Sequence, residues 1–479
     1  MKSIYSYKEE ELRAIAREHN IKGHFGMQKS ELYEAVTPFL EEYEFNCRLD
    51  ALKPVFHFLV RTERETLTSI VKCVEKPLSL KDQTKQIPVF TKQGKWRRTF
   101  TKQLPKFSEN KSWEGIVFYG YLSALSLPSS DKELIDRVFQ HFPRFRHLRT
   151  LSLRLCRLTQ IPEAVCQLTG LKHLDFSKNR ARTLPNSIGQ LTNLRYLDLS
   201  RNELRRLPEA IGQLTNLRYL DLRRNRLVTL PESIGQLTNL RYLDLSTNKL
   251  INLPKSIGQL QSLELLPLWE NQLRVLPESI GQLSLETLSL WQNQIRELPD
   301  AIGQMTSLKA LDLWENQLTD LPEVVCQMTA LTYLDLSRNE LNALPVSLRR
   351  LKNLETLSLR KNKLTTLPET IGELGSLKVL DLWENQLADL PEVIGQLKAL
   401  EKLDLEGNHL ARLPASIGQL KNLQILSLWQ NRLTMLPDSI VQLTSLQKLD
   451  LGENMLTELP ETLENWIQTL TWQGCKVGR

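Results

Sequence analysis

The chain has 479 residues and a net charge of +7, with 41% hydrophobic and 24% charged residues. This composition is typical of a folded globular protein and excludes a disordered or fibrous one. No apolar run reaches the roughly 18 residues of a membrane span, and the N-terminal residues lack the apolar segment of a signal peptide. We therefore expect a cytoplasmic protein with no membrane partner.

The cysteines are scattered, with no C-x-x-C pair and no histidine cluster at metal-ligand spacing. This pattern predicts reduced thiols and no metal site. The six cysteines are Cys47, Cys73, Cys156, Cys166, Cys326 and Cys475.

The first predicted element spans residues 8–43 and consists of two amphipathic helices around a glycine-containing turn. Residues 1–45 resemble a SAP or Rho-N helix-extended-helix module. Such modules often bind nucleic acid, and the resemblance implies that role for Lys22 and Lys29. The segment has a net charge of −3, however, and phosphate binding requires the opposite sign.

Residues 46–112 are predicted to contain a helical part plus a basic linker or small subdomain. Between Lys81 and Ser112 there are nine basic and only two acidic residues. The stretch TKQGKWRRTFTKQLPKF places an aromatic ring among cations, which favours nucleic-acid stacking beside charge. Its alternative is a solvated linker or β-hairpin. The candidate nucleic-acid contacts here are Lys95, Trp96, Arg97 and Arg98.

Residues 113–147 predict an N-terminal cap, or degenerate repeat, for the array that follows. Leu122, Leu125 and Leu127 have the spacing of a strand. Both ends of a stacked array must be covered, because the last apolar layer would otherwise meet water. At the other end, residues 469–479 predict a short C-terminal cap tail that continues from Leu463 and Trp466.

Residues 148–468 contain fourteen copies of the pattern LxxLxLxxNxLxxLPxxIGQLxx. Thirteen copies have 23 residues, and the copy that starts at Leu263 has 22. Such a strict period predicts a solenoid, in which each unit has an apolar face that only its neighbours can cover. Positions are numbered from the first leucine of each repeat.

Each position of the repeat has a predicted structural role. The alternating leucines predict a short strand with its leucines pointing inward. Asparagine at position 9 predicts amide bonds to the backbone of adjacent turns. Proline at position 15 predicts a turn before a short helical segment, and the glycine of IGQL allows close passage of neighbouring turns.

With these motifs the chain resembles the leucine-rich repeat family, in the 23-residue LPxxIGxL form seen in Ras-group-related and many bacterial members. The resemblance covers about two thirds of the chain. It implies an α/β fold, a horseshoe-shaped solenoid with a concave parallel sheet and short helical convex segments, preceded here by a small, mostly helical N-terminal region. The resemblance also implies that a partner binds on the concave face.

Aromatic residues recur at two outward-facing positions of the strand. Position 7 carries tryptophan in five repeats, and position 3 carries tyrosine in three consecutive repeats. We expect these rings to be exposed and to form an apolar patch of the size that marks a binding site. The alternative is that duplication of the repeat copied a harmless tryptophan. The residues are Trp269, Trp291, Trp314, Trp383, Trp429, Tyr196, Tyr219 and Tyr242.

Charge is graded along the same face, because the outward positions of the first five repeats are basic in sum and those of the later nine are acidic in sum. Aspartate recurs at position 5, and we expect a solvated ladder balanced by arginine, with a cationic ligand as the alternative. The charged residues that we predict to contact the partner are Arg195, Arg218, Arg223, Arg241, Glu270 and Glu315.

The repeat from Leu263 to Ser284 breaks the pattern in two ways. It is one residue short, and Pro267 lies inside its strand, where proline cannot donate to the ladder. A local kink is expected there. The change of charge and the first tryptophan also fall in this repeat, so we place the centre of the binding site within residues 241–316.

The sequence contains no catalytic triad signature, metalloprotease motif or glycine-rich dinucleotide loop. We therefore predict a protein that is not an enzyme, with no cofactor and no small-molecule substrate. Two functions remain. The first is a scaffold or recognition receptor that binds a protein partner on the concave face; the alternative is a nucleic-acid-associated adaptor that uses the N-terminal module and basic segment.

Overall fold

The structure is a computed structural model that describes residues 124–126, 148–457, 459–472 and 476–478. The described residues form two compact units. The first unit consists of the described residues up to Leu204 together with Pro208–Asp221. The second unit consists of Arg205–Leu207 and the described residues from Leu222 onward. Both units are built from the same strand and helical turn.

The strands are short and parallel, with one in each repeat and one at each end. They are β1 (Ala124–Ser126), β2 (Thr150–Ser152), β3 (His173–Asp175), β4 (Tyr196–Asp198), β5 (Tyr219–Asp221), β6 (Tyr242–Asp244), β7 (Leu266–Pro267), β8 (Thr287–Ser289), β9 (Ala310–Asp312), β10 (Tyr333–Asp335), β11 (Thr356–Ser358), β12 (Val379–Asp381), β13 (Lys402–Asp404), β14 (Ile425–Ser427), β15 (Lys448–Asp450) and β16 (Lys476–Gly478).

In the first unit, β1 to β5 pair in chain order, and in the second, β7 to β16 form a ten-stranded parallel sheet in chain order. Equivalent positions are always opposite each other, as in Leu334 with Leu357. The inward leucines are fully buried, as the sequence predicts, and form one continuous row in each unit. The register places each outward position in a column along the sheet.

The helical segments return the chain from one strand to the next. The short α-helix α1 (Glu163–Cys166) serves the first repeat, and the longer α2 (Glu461–Trp472) serves the last. Between them are 3₁₀ helices, at Asn186–Gln190, Glu209–Gln213, Glu232–Gln236, Lys255–Gln259, Glu278–Gln282, Asp300–Gln304, Glu323–Gln327, Val346–Arg350, Glu369–Glu373, Glu392–Gln396, Ala415–Gln419 and Asp438–Gln442.

The proline at position 15 precedes each 3₁₀ helix, as predicted. Pro185, for example, has φ −69° and ψ 149°, which is extended backbone immediately before the turn. The glycines also permit close approach, because a Cβ built on Gly395 would lie 2.5 Å from the carbonyl oxygen of Ser416 in the next repeat. A larger residue at this position would push neighbouring turns apart.

The asparagines at position 9 form the predicted ladder. The amide of Asn316 donates to the carbonyl oxygens of Leu290 at 3.0 Å and Leu313 at 3.1 Å, while its oxygen accepts from the backbone N–H of Ile295 at 3.0 Å. The same arrangement recurs along the array. Each asparagine thus satisfies backbone groups of adjacent repeats at a bend that has no regular ladder.

The residue at position 8, shortly after the strand, has a left-handed backbone in every repeat. Thirteen of these residues are not glycine, and their φ lies between 50° and 62°; the fourteenth is Gly407 at 66°. Left-handed backbone is costly for residues with a Cβ. The bonds on either side maintain it, since the N–H of Glu270 donates to the carbonyl oxygen of Trp291 at 2.9 Å.

Pro267 weakens strand pairing in its repeat, which agrees with its missing N–H. Strand β7 has only two residues, and β6 is joined to this repeat by a single bridge between Tyr242 and Leu265. The carbonyl oxygen of Pro267 still accepts from the N–H of Leu245 at 3.0 Å. The kink expected from the sequence stays a prediction.

Both predicted ends of the array have described elements. Strand β1, within the predicted N-terminal cap, pairs with β2 in the same register as the repeats. At the other end, α2 buries Leu463, Ile467 and Leu470, and β16 pairs with β15. The C-terminal cover is therefore a helix and a strand, more than the thin tail expected from the sequence.

Of the six cysteines, Cys156, Cys166 and Cys326 are described, and all three are buried free thiols as predicted. Burial raises the pKa of the Cys166 and Cys326 thiols, which makes them poor nucleophiles. In the described part of the chain, none of the helices combines the length and apolar character needed to span a membrane.

Candidate functional site

The tryptophans of position 7 lie in one column of the second unit. The rings of Trp269 and Trp291 stack with centroids 4.8 Å apart and planes 3° from parallel. Trp314 follows at 5.7 Å from Trp291, tilted by 59°. We call these three residues the indole row. The parallel register of adjacent strands, about 4.8 Å apart, brings the rings to stacking distance.

The rings are less exposed than the sequence predicts. Trp269 is only 7% exposed, and Trp291 and Trp314 are half-buried. The tyrosines are buried as well, because Tyr196 and Tyr219 stack with their centroids 4.3 Å apart. Stacking covers the faces of neighbouring rings, which leaves mainly ring edges and the ends of each row to solvent.

Cations cover the later rings, which was not predicted from the sequence. The guanidinium of Arg338 lies 5.4 Å from the ring centroid of Trp314. On Trp383, the guanidinium of Arg360 and the amine of Lys361 each lie 4.5 Å from the centroid. Arginine or lysine at positions 7 and 8 was the signal that could have revealed these cation–π pairs.

Trp383 is also held at its edge, since its indole N–H donates to the carboxylate of Glu406. Burial and the neighbouring Asp404 raise the pKa of Glu406. Trp383 therefore already has partners within the chain on both its face and its N–H. Trp429 is half-buried in the same column.

Position 5 lacks the usual aspartate in the first two of the three repeats that form the indole row. Pro267 and Ser289 occupy this position in the repeats of Trp269 and Trp291, and both are partly accessible. Leu265 lies at position 3 of the first of these repeats, also partly accessible. We call the surface formed by positions 3, 5 and 7, opposite the leucine core, the sheet face. Pro267, Ser289 and Leu265 form an uncharged area on this face.

The aspartates of position 5 are largely buried, so the expected solvated ladder was wrong. Asp244 is 3% exposed; its carboxylate accepts from the N–H of Ser246 at 2.8 Å and from the hydroxyl of Tyr242 at 2.8 Å. Equivalent bonds to the N–H two residues ahead recur in both units, as from Ser177 to Asp175. These carboxylates stabilise the turn after the strand.

Cations assist the column further along the array. Asp381 is 5% exposed and lies 3.5 Å from Arg360 and 3.8 Å from Lys402. Burial nevertheless raises the pKa of Asp381, with a further contribution from Asp404. The ionised form of Asp381 is therefore disfavoured in the folded chain, which lowers stability at pH values above its usual pKa.

The predicted charged contacts have varied surroundings. Arg195 and Arg218 are exposed, and Arg241 forms an ion pair with Glu264 at 3.5 Å. Arg223 is partly buried.

Beside the indole row, Glu270 accepts from the hydroxyl of Thr247 at 2.9 Å, and Glu315 lies 3.8 Å from Arg338. The structure thus brings Glu270 and Glu315 together with the tryptophans. The other candidates, Lys22, Lys29, Lys95, Trp96, Arg97 and Arg98, lie outside the described residues, as do the SAP-like module and the basic segment. The described residues contain no group of His, Cys, Asp and Glu that could hold a metal ion.

Family models agree with the repeat geometry. A model described as leucine-rich repeat region matches residues 186–240, 232–287, 283–361 and 325–406, and one described as leucine rich repeat matches residues 146–204 and 421–469. The fold of strand and 3₁₀ turn defines a class of solenoid proteins that carry their variable residues on a sheet. The chain belongs to the leucine-rich repeat family.

Solved structures support the same assignment. A Leptospira interrogans leucine-rich-repeat protein is 38% identical, with a TM-score of 0.66, and the match covers 75% of this chain and 90% of that one. The plant peptide hormone receptor RGFR1, solved with RGF2, is 28% identical, with a TM-score of 0.56 and coverage of 68% and 59%.

The Arabidopsis receptor kinase HAESA, solved with the peptide hormone IDA and the co-receptor SERK1, is 26% identical. Its TM-score is 0.53, with coverage of 71% of this chain and 66% of the receptor chain. The chain thus spans most of the Leptospira protein but under two thirds of each receptor. No curated protein sequence matches the chain.

Proposed function

We propose that the chain is a non-enzymatic recognition protein that binds a protein or peptide partner on its sheet face, the concave side in leucine-rich repeat arrays. The observation that carries this proposal is the indole row beside an uncharged area. Trp291 and Trp314 are half-buried, and the repeats of Trp269 and Trp291 carry the uncharged Pro267 and Ser289 at position 5. Partly accessible aromatic rings on a rigid scaffold are typical anchors of protein interfaces.

The fold itself does not require tryptophan at this position. Ser337 and Arg360 occupy position 7 in the two repeats after Trp314, and their strands have the same register as those of the indole row. The leucines, asparagines and prolines, by contrast, are kept in nearly every repeat. A side chain that varies between repeats of equal backbone geometry favours a role in binding over one in folding.

Two similar structures supply a precedent for the kind of partner. RGFR1 was solved with RGF2, and HAESA with the peptide hormone IDA and a co-receptor. These partners belong to those receptors, and we extend only the class, a protein or peptide, to this chain. The cytoplasmic location and the nucleic-acid role of residues 1–112 stay predictions.

The proposal is tested by replacing Trp291 and Trp314 with serine in the full chain, following the natural Ser337. Trp269 is kept, because its ring is buried and its removal would disturb packing. We expect captured partners to fall at least about tenfold, as for loss of an interface anchor. The measurement is quantitative mass spectrometry of proteins retained by immobilised wild-type and variant chains, followed by titration of the purified partner.

The matched control removes exposed apolar side chains elsewhere. Val346 and Met435 are 58% and 65% exposed and lie outside the strand positions of the sheet face. Val346→Ala with Met435→Ala should leave the capture unchanged. Equal capture by the wild type and by the folded Trp291→Ser, Trp314→Ser chain would refute the indole row as the anchor.

A further inference from the structure

Position 2, immediately before the strand, distinguishes the two units by charge. In the first unit this position carries Arg149, Lys172, Arg195 and Arg218, which we call the basic stripe. No acidic residue interrupts these four consecutive repeats at position 2. Arg195 and Arg218 were already predicted to contact the partner. Arg149 and Lys172 are additional residues of the same basic column.

Backbone hydrogen bonds fix the register of the stripe. The N–H of Lys172 donates to the carbonyl oxygen of Arg149 at 2.7 Å, that of Arg195 to Lys172 at 2.8 Å, and that of Arg218 to Arg195 at 2.8 Å. Adjacent cationic side chains therefore start from neighbouring strands about 4.8 Å apart. This distance is short enough for like charges to repel each other.

The second unit uses the same position differently. There Arg241 pairs with Glu264 at 3.5 Å, Lys309 with Glu286 at 3.0 Å, and Lys378 with Glu355 at 2.9 Å. Each cation in these pairs faces an acid from the adjacent repeat. In these repeats of the second unit, the charges at position 2 are therefore balanced within the array.

The environment of the stripe is consistent with concentrated positive charge. Burial, together with the charges of Arg195 and Lys172, lowers the pKa of His173 to about 4. His173 is therefore neutral near pH 7 and does not add to the stripe. Arg195 and Arg218 are exposed and form no ion pair with any described residue.

We propose that the basic stripe docks a helical segment of the protein partner that carries acidic side chains along one face. This inference rests on the proposed function and names the chemistry of the partner. At Arg195 and Arg218, which form no ion pair with a described residue, an acidic ligand would supply the opposing charge that Arg241, Lys309 and Lys378 already have in the second unit. An acidic ligand therefore complements the stripe in sign and in spacing.

Spacing favours a helix over an extended chain. A helix places one side chain per turn on the same face, about 5.4 Å apart, whereas an extended strand places every second residue on one face, about 6.7 Å apart. Strands of the sheet repeat at about 4.8 Å, so across three intervals the helix deviates by about 2 Å and the extended chain by nearly 6 Å. Shared between the two ends of the row, the mismatch is about 1 Å for the helix and about 3 Å for the extended chain, so the helix needs less adjustment of the arginine and lysine side chains.

The test uses the full chain and a labelled alanine-based peptide of about 20 residues, long enough to be helical, with one glutamate per turn on a single face. An isomer with the same composition has its glutamates spread around the helix. Fluorescence anisotropy measures the affinity of the chain for each peptide. We expect the one-faced peptide to bind at least about fivefold more tightly than its isomer. Binding should weaken as salt is added.

Charge reversal locates the binding. Arg195→Glu with Arg218→Glu should lower the affinity of the chain for the one-faced peptide at least about tenfold. Arg205→Glu with Arg206→Glu makes the same change in net charge at exposed residues outside position 2. This control should lower the affinity for the one-faced peptide less than about threefold. Equal losses in both variants, or equal affinity for the two peptides, would overturn the proposal.

Two further outcomes decide against it. Tighter binding of a single-stranded oligonucleotide or of anionic vesicles than of the peptide, if it is lost in Arg195→Glu with Arg218→Glu, would assign the stripe to another class of ligand. Arg195→Gln with Arg218→Gln should leave the melting temperature unchanged or raise it, because it removes like charges; a clear decrease would indicate a structural role and contradict a docking role.

Failure of this inference is distinguishable from failure of the proposed function. Trp291→Ser with Trp314→Ser should leave binding of the acidic peptide unchanged, because these tryptophans belong to the second unit. If the peptide does not bind while partner capture still depends on the indole row, the stripe proposal alone is refuted. If capture is independent of the tryptophans but the peptide binds the stripe, the indole row is refuted instead.

Discussion

The asparagines of position 9 show how one residue type determines the local structure of the array. Each side chain reaches the backbone of the preceding repeat and of its own, as Asn316 does with Leu290, Leu313 and Ile295. Buried polar groups without partners are costly, so these bonds matter more than their individual strengths suggest. Cys156 occupies this position in the first repeat, where its thiol lies 3.7 Å from the carbonyl oxygen of Arg154.

At this scale we predict that Asn316→Ala lowers the free energy of unfolding by about 3 kcal/mol, because it leaves buried N–H and carbonyl groups unbonded. Urea denaturation followed by circular dichroism measures the change. Asn353→Ala is the control, since that exposed amide makes one bond, to the carbonyl oxygen of Thr329 at 2.9 Å. Its effect should stay below about 1 kcal/mol. Comparable losses in both variants would contradict the role of the ladder.

At the scale of elements, α2 replaces the 3₁₀ turn of the last repeat and closes the leucine core. Its residues Leu463, Ile467 and Leu470 are 0%, 3% and 4% exposed. A long helix covers the last apolar layer more completely than a 3₁₀ turn, because its face presents an apolar residue at each turn. Without such a cap the final repeat would expose its leucines.

We therefore predict that Leu463→Ala destabilises the chain by about 2 to 5 kcal/mol through loss of buried apolar volume. Hydrogen exchange should show the loss first in the repeats nearest α2, because each repeat is stabilised by its neighbours. Thr462→Ala, an exposed change on the same helix, should have little effect. Unchanged exchange near α2 in Leu463→Ala would show that the helix does not act as a cap.

At the scale of the whole molecule, the register makes repeats interchangeable. Strands β10 to β12 pair at equivalent positions, with Leu334 opposite Leu357 and Leu357 opposite Leu380. Their interfaces are built from the same leucines and the same asparagine bonds. Stability in such an array is approximately a sum over repeats and their nearest neighbours.

Deletion of residues 354–376, one complete repeat, should therefore give a folded chain, with the strand of Leu334 now beside that of Leu380. We expect a native-like circular dichroism spectrum and only a modest decrease in melting temperature. Deletion of residues 354–365, about half a repeat, should instead lose the cooperative transition of the following repeats, because it places polar residues at leucine positions. Similar melting curves for the two deletions would contradict a register-based assembly.

The sequence alone determined the strand, the turn and the asparagine bonds, because a strict period of leucine, asparagine and proline has one way to bury its apolar face. It also placed Trp269, Trp291 and Trp314 in one column. Only the tertiary structure decided how far those rings are covered and which cations face them, since the stacking of Trp269 on Trp291 and the approach of Arg338 to Trp314 depend on side-chain directions across neighbouring repeats. It likewise decided that the aspartates are buried, because their bonds to the N–H two residues ahead follow from the backbone of each turn.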